Sequence, residues 1–211
     1  GLAADARVVD PACGSGAFLV EAFRRLVWRA SGSKPAGRQL VRHILYNQLF
    51  GIDINRAALG IAAFSLYLAA LELDEEPVTH IGDLKFDHLI DTTLFEADSL
   101  GGDLPAQITS QTFDAVVGNP PWTFVTKDGG AQKRRESDAA TLRPRRSPDQ
   151  AFLALGADLA GETGRVGMVM KATPFFSKDI HAVAARTHLL ERLSPVALIN
   201  LSYLRREDLF P

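Results

Sequence analysis

The stretch Asp10-Pro-Ala-Cys-Gly-Ser-Gly-Ala-Phe-Leu19 decides the reading of this chain. Before it, Arg7-Val8-Val9-Asp10 is a short apolar run that ends on an acid, and Cys13-Gly14-Ser15-Gly16 is a glycine-rich turn. Glycines let the backbone come close to a ligand, and a helix behind such a turn presents free N–H groups. Beyond the turn, Phe18, Ala22 and Leu26 recur on one stripe, with Leu19 and Phe23 beside it. Glu21, Arg24, Arg25 and Arg29 face away, and Gly32 is a natural stop. The unit is a strand, a tight turn and a helix.

The same unit recurs downstream. Arg38 to Gln48 is amphipathic, and Leu49 to Ile54 reads as a strand that carries Asp53 near its end. Asn55 is placed to cap the next helix, Arg56 to Leu73, whose apolar residues lie nearly all round and predict burial. Leu94 to Ala97 is a third strand before Asp98, and Phe113 to Val117 a fourth before Gly118-Asn119-Pro120-Pro121-Trp122. Ser147-Pro148-Asp149-Gln150 starts a helix, with a capping Ser, a Pro at the first helical position and a Gln closing the box. Val166 to Met170 and Val196 to Leu201 read as the last two strands, with a helix near Lys178 to Leu193 between them.

Strands alternating with helices predict an α/β, Rossmann-like doubly wound fold: one mainly parallel sheet with helices on both faces. Ligands of such sheets bind at the carboxyl ends of the strands. Asp10, Asp53, Asp98 and Asn119 all fall at those ends. The G-x-G turn alone is also what an ordinary strand-to-helix turn needs. A dinucleotide fingerprint wants a third glycine where Leu19 stands and an acid within about 20 residues, whereas Asp53 comes much later, so nicotinamide binding is disfavoured.

Composition bounds the rest. The chain has 211 residues, 46% hydrophobic and 23% charged, which suits one soluble globular domain over 1–211. Gly60 to Leu71 is too short an apolar run to span a bilayer, and the opening residues lack the pattern of a secretory signal. The single cysteine, Cys13, excludes an internal disulfide and fits the reducing cytoplasm; it reads as a packing residue, with no evident base beside it. The five histidines show no metal-ligand spacing, so no metal is expected. With a net charge of −2 the whole domain is no polycation that would grip nucleic acid by itself. The exception is 126–146, where Lys127, Lys133, Arg134, Arg135, Arg143, Arg145 and Arg146 outnumber three acids. It reads as a mobile basic loop, either solvated or touching DNA phosphate.

With DPACGSGAFL at 10–19 and Asn-Pro-Pro-Trp at 119–122, the chain resembles the amino-methylating DNA methyltransferases. It is most similar to the adenine-N6 methylase modules of type I and type IIG restriction-modification systems. Phe50-Gly-Ile-Asp-Ile-Asn and Ala97-Asp-Ser-Leu fall in that family's order and rough spacing. The resemblance implies a class I methyltransferase core, S-adenosyl-L-methionine as cofactor and DNA as partner, in a restriction-modification or related phage-defence system. It implies that Asp10, Ala12, Gly14 and Gly16 line the methionine and ribose side of the cofactor, with Phe18 packing nearby. Asp53 would accept from the ribose hydroxyls, Ile54 would pack on the adenine ring, and Asp98 would bind the cofactor's adenine amino group. Asn119, Pro120, Pro121 and Trp122 would be the catalytic motif.

The chemistry explains that motif. An exocyclic amine of a nucleobase is a poor nucleophile, because its lone pair is delocalised into the ring. Two acceptors aimed at its N–H bonds free that lone pair. The Asn119 side-chain oxygen and the Pro120 carbonyl can serve, on a turn made rigid by Pro120 and Pro121. Trp122 would stack on an extruded base.

The chain also departs from that family's pattern. Only nine residues precede Asp10, and the chain stops soon after Val196 to Leu201. A cofactor-closing segment upstream, a seventh strand and a target-recognition domain are therefore expected elsewhere, on a longer parent or, for DNA reading, on a specificity subunit. Three other readings stay open: a protein glutamine N5-methyltransferase, an RNA guanine-N2 methyltransferase and a non-catalytic fragment of the fold. Trp122, where the glutamine enzymes usually show Tyr, and the basic stretch weigh against the first.

Overall fold

The computed structural model describes residues 2–122, 148–178 and 180–201. The basic stretch at 126–146 and the capping Ser147 lie outside the described residues. Chain order is β1 (Val8–Asp10), α1 (Ala17–Ser31), α2 (Arg38–Asn47), β2 (Leu49–Asp53), α3 (Arg56–Leu73), a 3-10 turn at Ile81–Leu84, β3 (Leu94–Glu96), α4 (Ala106–Thr109), β4 (Ala115–Gly118), α5 (Pro148–Ala160), β5 (Arg165–Met168), α6 (Thr173–Phe176) and α7 (Ile180–Arg192).

The strands form one all-parallel sheet in the order β3-β2-β1-β4-β5. From β1 the chain winds outward through β2 and β3, then returns to place β4 on the other side of β1. The switch point lies between β1 and β4, the place where parallel sheets of this kind open a crevice. Alternation along each strand divides the core into two layers. Val8, Leu49, Leu94 and Ala115 face α1, α2 and α3, while Val9, Phe50, Phe95 and Val116 face Ile108 of α4 and Phe152, Leu155 and Leu159 of α5. Phe50 and Phe113 meet edge to face with centroids 5.2 Å apart. This is the doubly wound α/β fold expected from the alternation of strands and helices.

Local signals explain most boundaries. The Asn55 side chain accepts from the N–H groups of Ala57 and Ala58 at 2.9 and 3.3 Å and starts α3. Gly32, at φ +62°, closes α1 with its N–H on the Trp28 carbonyl. The connection 74–93, which carries no motif, is fastened to α2: Arg38 pairs with Asp74 at 2.7 Å and Asp83 at 3.1 Å.

Three expectations fail. Residues 193–201 form no strand, and Val196 is 93% exposed. An apolar β-branched run becomes a strand only beside a partner ladder, and among the described residues no strand pairs with it. The buried stripe of α1 is Leu19, Phe23, Leu26 and Val27, so Phe18 is turned out of the core. Finally, α3 is buried on one face only. Leu59, Ala62, Leu66, Ala69 and Ala70 pack in the core, while Ile61, Phe64, Leu68 and Leu71 form an exposed stripe. At 18 residues, this helix is also long and apolar enough to cross a membrane by length and composition. Its buried face against α1 and the sheet marks it as the core helix of a doubly wound domain.

Gly51, mid-strand in β2, lets α1 come down onto the sheet. A Cβ there would lie 2.7 Å from both Leu19 Cδ1 and Leu94 Cδ2, and 3.0 Å from Cys13 Sγ. Gly51→Ala should overpack this point and cost about 1–3 kcal/mol. For a chain of this size that is a fall in Tm of several degrees, readable by calorimetry; an unchanged Tm would show that the layer is loosely packed.

Candidate active site

Parallel pairing puts the carboxyl ends of all five strands on one edge. Asp10 ends β1, Asp53 ends β2, Asp98 follows β3 by two residues and Asn119 directly follows β4. The chain connections lock these ends together. The N–H of Cys13 donates to the Ile52 carbonyl at 2.9 Å, and that of Gly14 to Asp53 Oδ2 at 2.8 Å. The other oxygen, Asp53 Oδ1, accepts from the Asn55 N–H at 2.8 Å. The Asp53 carbonyl accepts from Ala97 N–H at 3.1 Å, and Ser99 Oγ donates to the Pro11 carbonyl at 2.6 Å. Gly14 and Gly16 adopt φ +52° and +85°, which a side chain would strain. At Gly16 a Cβ would also press within 3.0 Å of Ala62.

Electrostatics single out Asp10. Its side chain is 1% exposed, and Oδ1 accepts from the Ala12 N–H at 3.0 Å. A Cβ on Gly118 would come within 2.8 Å of that same oxygen, so β4 can bring its end against the carboxylate only as glycine. Burial pushes the Asp10 pKa up to about 7; the Ala12 N–H opposes the rise and the charge on Asp53 adds to it. Burial pushes the Cys13 thiol up as well, with Asp10 and Asp53 adding, so it is not poised as a thiolate.

Around this corner most of the remaining motif residues are exposed. Asp98 is exposed, with Oδ1 on the Leu100 N–H at 3.0 Å, and Ile54 is half-buried. Asn119 is exposed and its side chain has no hydrogen-bond partner among the described residues. Pro120 is buried, Pro121 exposed and Trp122 46% exposed. Phe18 is 38% exposed on the first turn of α1. Ala12 is half-buried in the turn.

One further residue meets the motif, and a second holds that residue in place. Lys171, just past β5, donates from Nζ to the Trp122 carbonyl at 2.8 Å, and its own N–H donates to Asp149 Oδ2 at 3.1 Å. Asp149 is fully buried. In the sequence Asp149 reads as part of a helix start and Lys171 carries no motif. Only the habit of parallel sheets to gather function past each strand's carboxyl end points to Lys171.

Comparison with known proteins completes this picture. The profile of the family described as N-6 DNA Methylase matches residues 2–202. The chain belongs to that family. The adenine-specific methyltransferase PglX of Streptomyces coelicolor is 46% identical over 68 residues, which are 31% of this chain and 6% of PglX. The type II restriction enzyme and methyltransferase RM.Eco57I of Escherichia coli is 30% identical over 147 residues, 56% of this chain and 14% of that protein. The chain thus spans a small part of the curated relatives it matches. The DNA-bound type ISP restriction-modification enzyme LlaBIII superposes with a TM-score of 0.62 at 14% identity, over 88% of this chain and 14% of that one. That likeness shows the fold.

The buried acid makes a prediction about stability. Unfolded, Asp10 titrates near 3.8, and folded near 7, so between those values the folded chain holds the extra proton. Its neutral form therefore contributes stability fully below pH 3.8, and that contribution is lost as pH rises through about 7. The rise corresponds to about 4 kcal/mol against the ionised form. Asp10→Asn keeps an oxygen for the Ala12 N–H and removes the charge. It should raise Tm at pH 8 and change it far less at pH 4; an equal or lower Tm at pH 8 would mean that Asp10 is not ionised at a cost.

Proposed function

We propose that this chain is the catalytic core of a methyltransferase that moves a methyl group from S-adenosyl-L-methionine to the N6 amine of adenine in DNA. The observation that carries the reading is the position of Asn119-Pro120-Pro121-Trp122. It follows the strand on one side of the sheet's switch point, and the glycine turn follows the strand on the other. Membership of the N-6 DNA methylase family supports DNA as substrate over protein glutamine or RNA guanine. The LlaBIII structure, described as bound to DNA, supports DNA as partner. A specificity subunit or a separate target-recognition domain would then choose the sequence. The cytoplasm is the matching location.

The residues present fit the cofactor. Gly14 has open space on the side where a Cβ would stand. The half-buried Asp53 keeps lone pairs beyond those on Gly14 and Asn55, enough for ribose hydroxyls. Asp10, buried and close to β4's end, supplies negative charge toward the cationic methionine end, with Ala12, Gly14 and Gly16 shaping that side and Phe18 beside it. Ile54 and Asp98 would take the adenine ring and its amino group. When bound, the cofactor supplies a methyl group already activated on a sulfonium.

This chain's own residues do the rest. The Asn119 side-chain oxygen and the Pro120 carbonyl accept the two N–H bonds of the target amine and free its lone pair. Pro120 and Pro121 hold that geometry before substrate arrives, so little reorganisation is needed. Trp122 offers its exposed face to a flipped base. Alignment then accounts for most of the acceleration, and the methylated nitrogen, now strongly acidic, loses its extra proton to solvent.

Single-turnover methylation with saturating cofactor tests the assignment. Asn119→Ala should slow transfer by about 10²-fold or more, the scale of losing one preorganised polar group. Cofactor affinity should change far less. Trp122→Ala should weaken DNA capture by about 1–3 kcal/mol, and Trp122→Phe should keep most of it. Parental rates in Asn119→Ala would remove the motif from the catalytic centre.

A further inference from the structure

The turn that carries the motif has a peculiar deficit. Pro120 and Pro121 have no N–H groups, so two consecutive residues cannot donate to a neighbouring strand. The parallel ladder between β4 and β5 runs as far as Gly118 opposite Met168, and the Val169 N–H donates to the Gly118 carbonyl at 3.0 Å. Past that bond the two prolines offer only acceptors. Among the described residues the next hydrogen bond to the motif comes from a side chain: Lys171 Nζ donates to the Trp122 carbonyl at 2.8 Å.

Lys171 is itself fixed from below. Its backbone N–H donates to Asp149 Oδ2 at 3.1 Å, and Asp149 Oδ1 accepts from the Gln150 N–H at 3.1 Å. Asp149 is wholly buried at the start of α5, and a buried carboxylate is kept only where its oxygens are used. The acid therefore pins the chain beyond β5 to the helix that covers this face of the sheet. The lysine carries that anchorage to the far end of the motif.

We propose that Lys171, seated on Asp149, is a positioning residue for methyl transfer: it clamps the Trp122 carbonyl and so fixes the catalytic turn in place of the hydrogen bonds its prolines cannot make. The inference rests on the functional reading above. It goes beyond that reading by adding a residue that touches neither cofactor nor base.

The test uses two readouts. The chain has two tryptophans, Trp28 and Trp122, and Trp28 is 71% exposed on α1. In a Trp28→Phe background, Trp122 alone reports its own mobility by fluorescence anisotropy decay. Lys171→Met keeps the stem and the backbone bond to Asp149 but removes the donor; Lys171 is half-exposed, so the variant should fold, and thermal unfolding verifies this. Expected is a looser Trp122 and a single-turnover rate reduced about tenfold or more, as misplacement of a reacting group costs. Cofactor affinity should stay within about twofold, since Lys171 would touch no part of it. Lys171→Arg, which restores a donor, should recover both signals.

A Trp122 equally rigid in Lys171→Met would overturn the inference. So would a normal rate in Lys171→Met beside a crippled Asn119→Ala, which leaves the functional reading standing. Normal rates in both variants would instead sink the functional reading, and the positioning role with it.

Discussion

One hydrogen bond organises the carboxyl edge of this sheet: the Gly14 N–H to the Asp53 carboxylate, 2.8 Å long. It forms because β1 and β2 run parallel, with Asp10 opposite Gly51, so the turn after one strand reaches the acid that ends the other. Gly14 must sit at φ +52° to aim its N–H there. The second oxygen of Asp53 takes the Asn55 N–H, and Asn55 in turn starts α3. One carboxylate thus sets the glycine turn, the end of β2 and the start of the core helix. The buried Asp10 and the close approach of Gly118 tie β4 to the same corner, which brings the Asn-Pro-Pro-Trp turn alongside.

Much of this was legible from residue order. Each of these polar residues follows an apolar run, and parallel sheets put such positions on one edge, so Asp10, Asp53, Asp98 and Asn119 could be placed together without coordinates. Asn55 and Gly32 were readable because caps are local. What escaped depends on neighbours distant in the chain. Val196 to Leu201 has the composition of a strand but pairs with no strand among the described residues. In α3, apolar residues on two faces predict burial on both, yet the sheet and α1 cover only one. Phe18 lies one position off the stripe that packs, a distinction fixed by how α1 sits on Gly51. Asp149 and Lys171 meet across 22 residues through a single backbone N–H, and no periodicity records such a contact.

If this corner binds the cofactor as proposed, function and stability pull in opposite directions there. A carboxylate with a pKa near 7 is expensive to keep ionised in a packed interior. The glycines beside it give up rigidity for close approach. A cationic ligand at Asp10 would offset the first cost, so an account in which this edge holds S-adenosyl-L-methionine also explains why a buried acid is tolerated there.

The central claim concerns the acceptor: the N6 amine of adenine in DNA. The most direct measurement is mass spectrometry of the products formed when the protein is incubated with isotopically labelled S-adenosyl-L-methionine and an equal mixture of DNA, RNA and protein. The account predicts label in N6-methyldeoxyadenosine. Label in RNA guanine, in protein glutamine or on cytosine, with deoxyadenosine unlabelled, would contradict it.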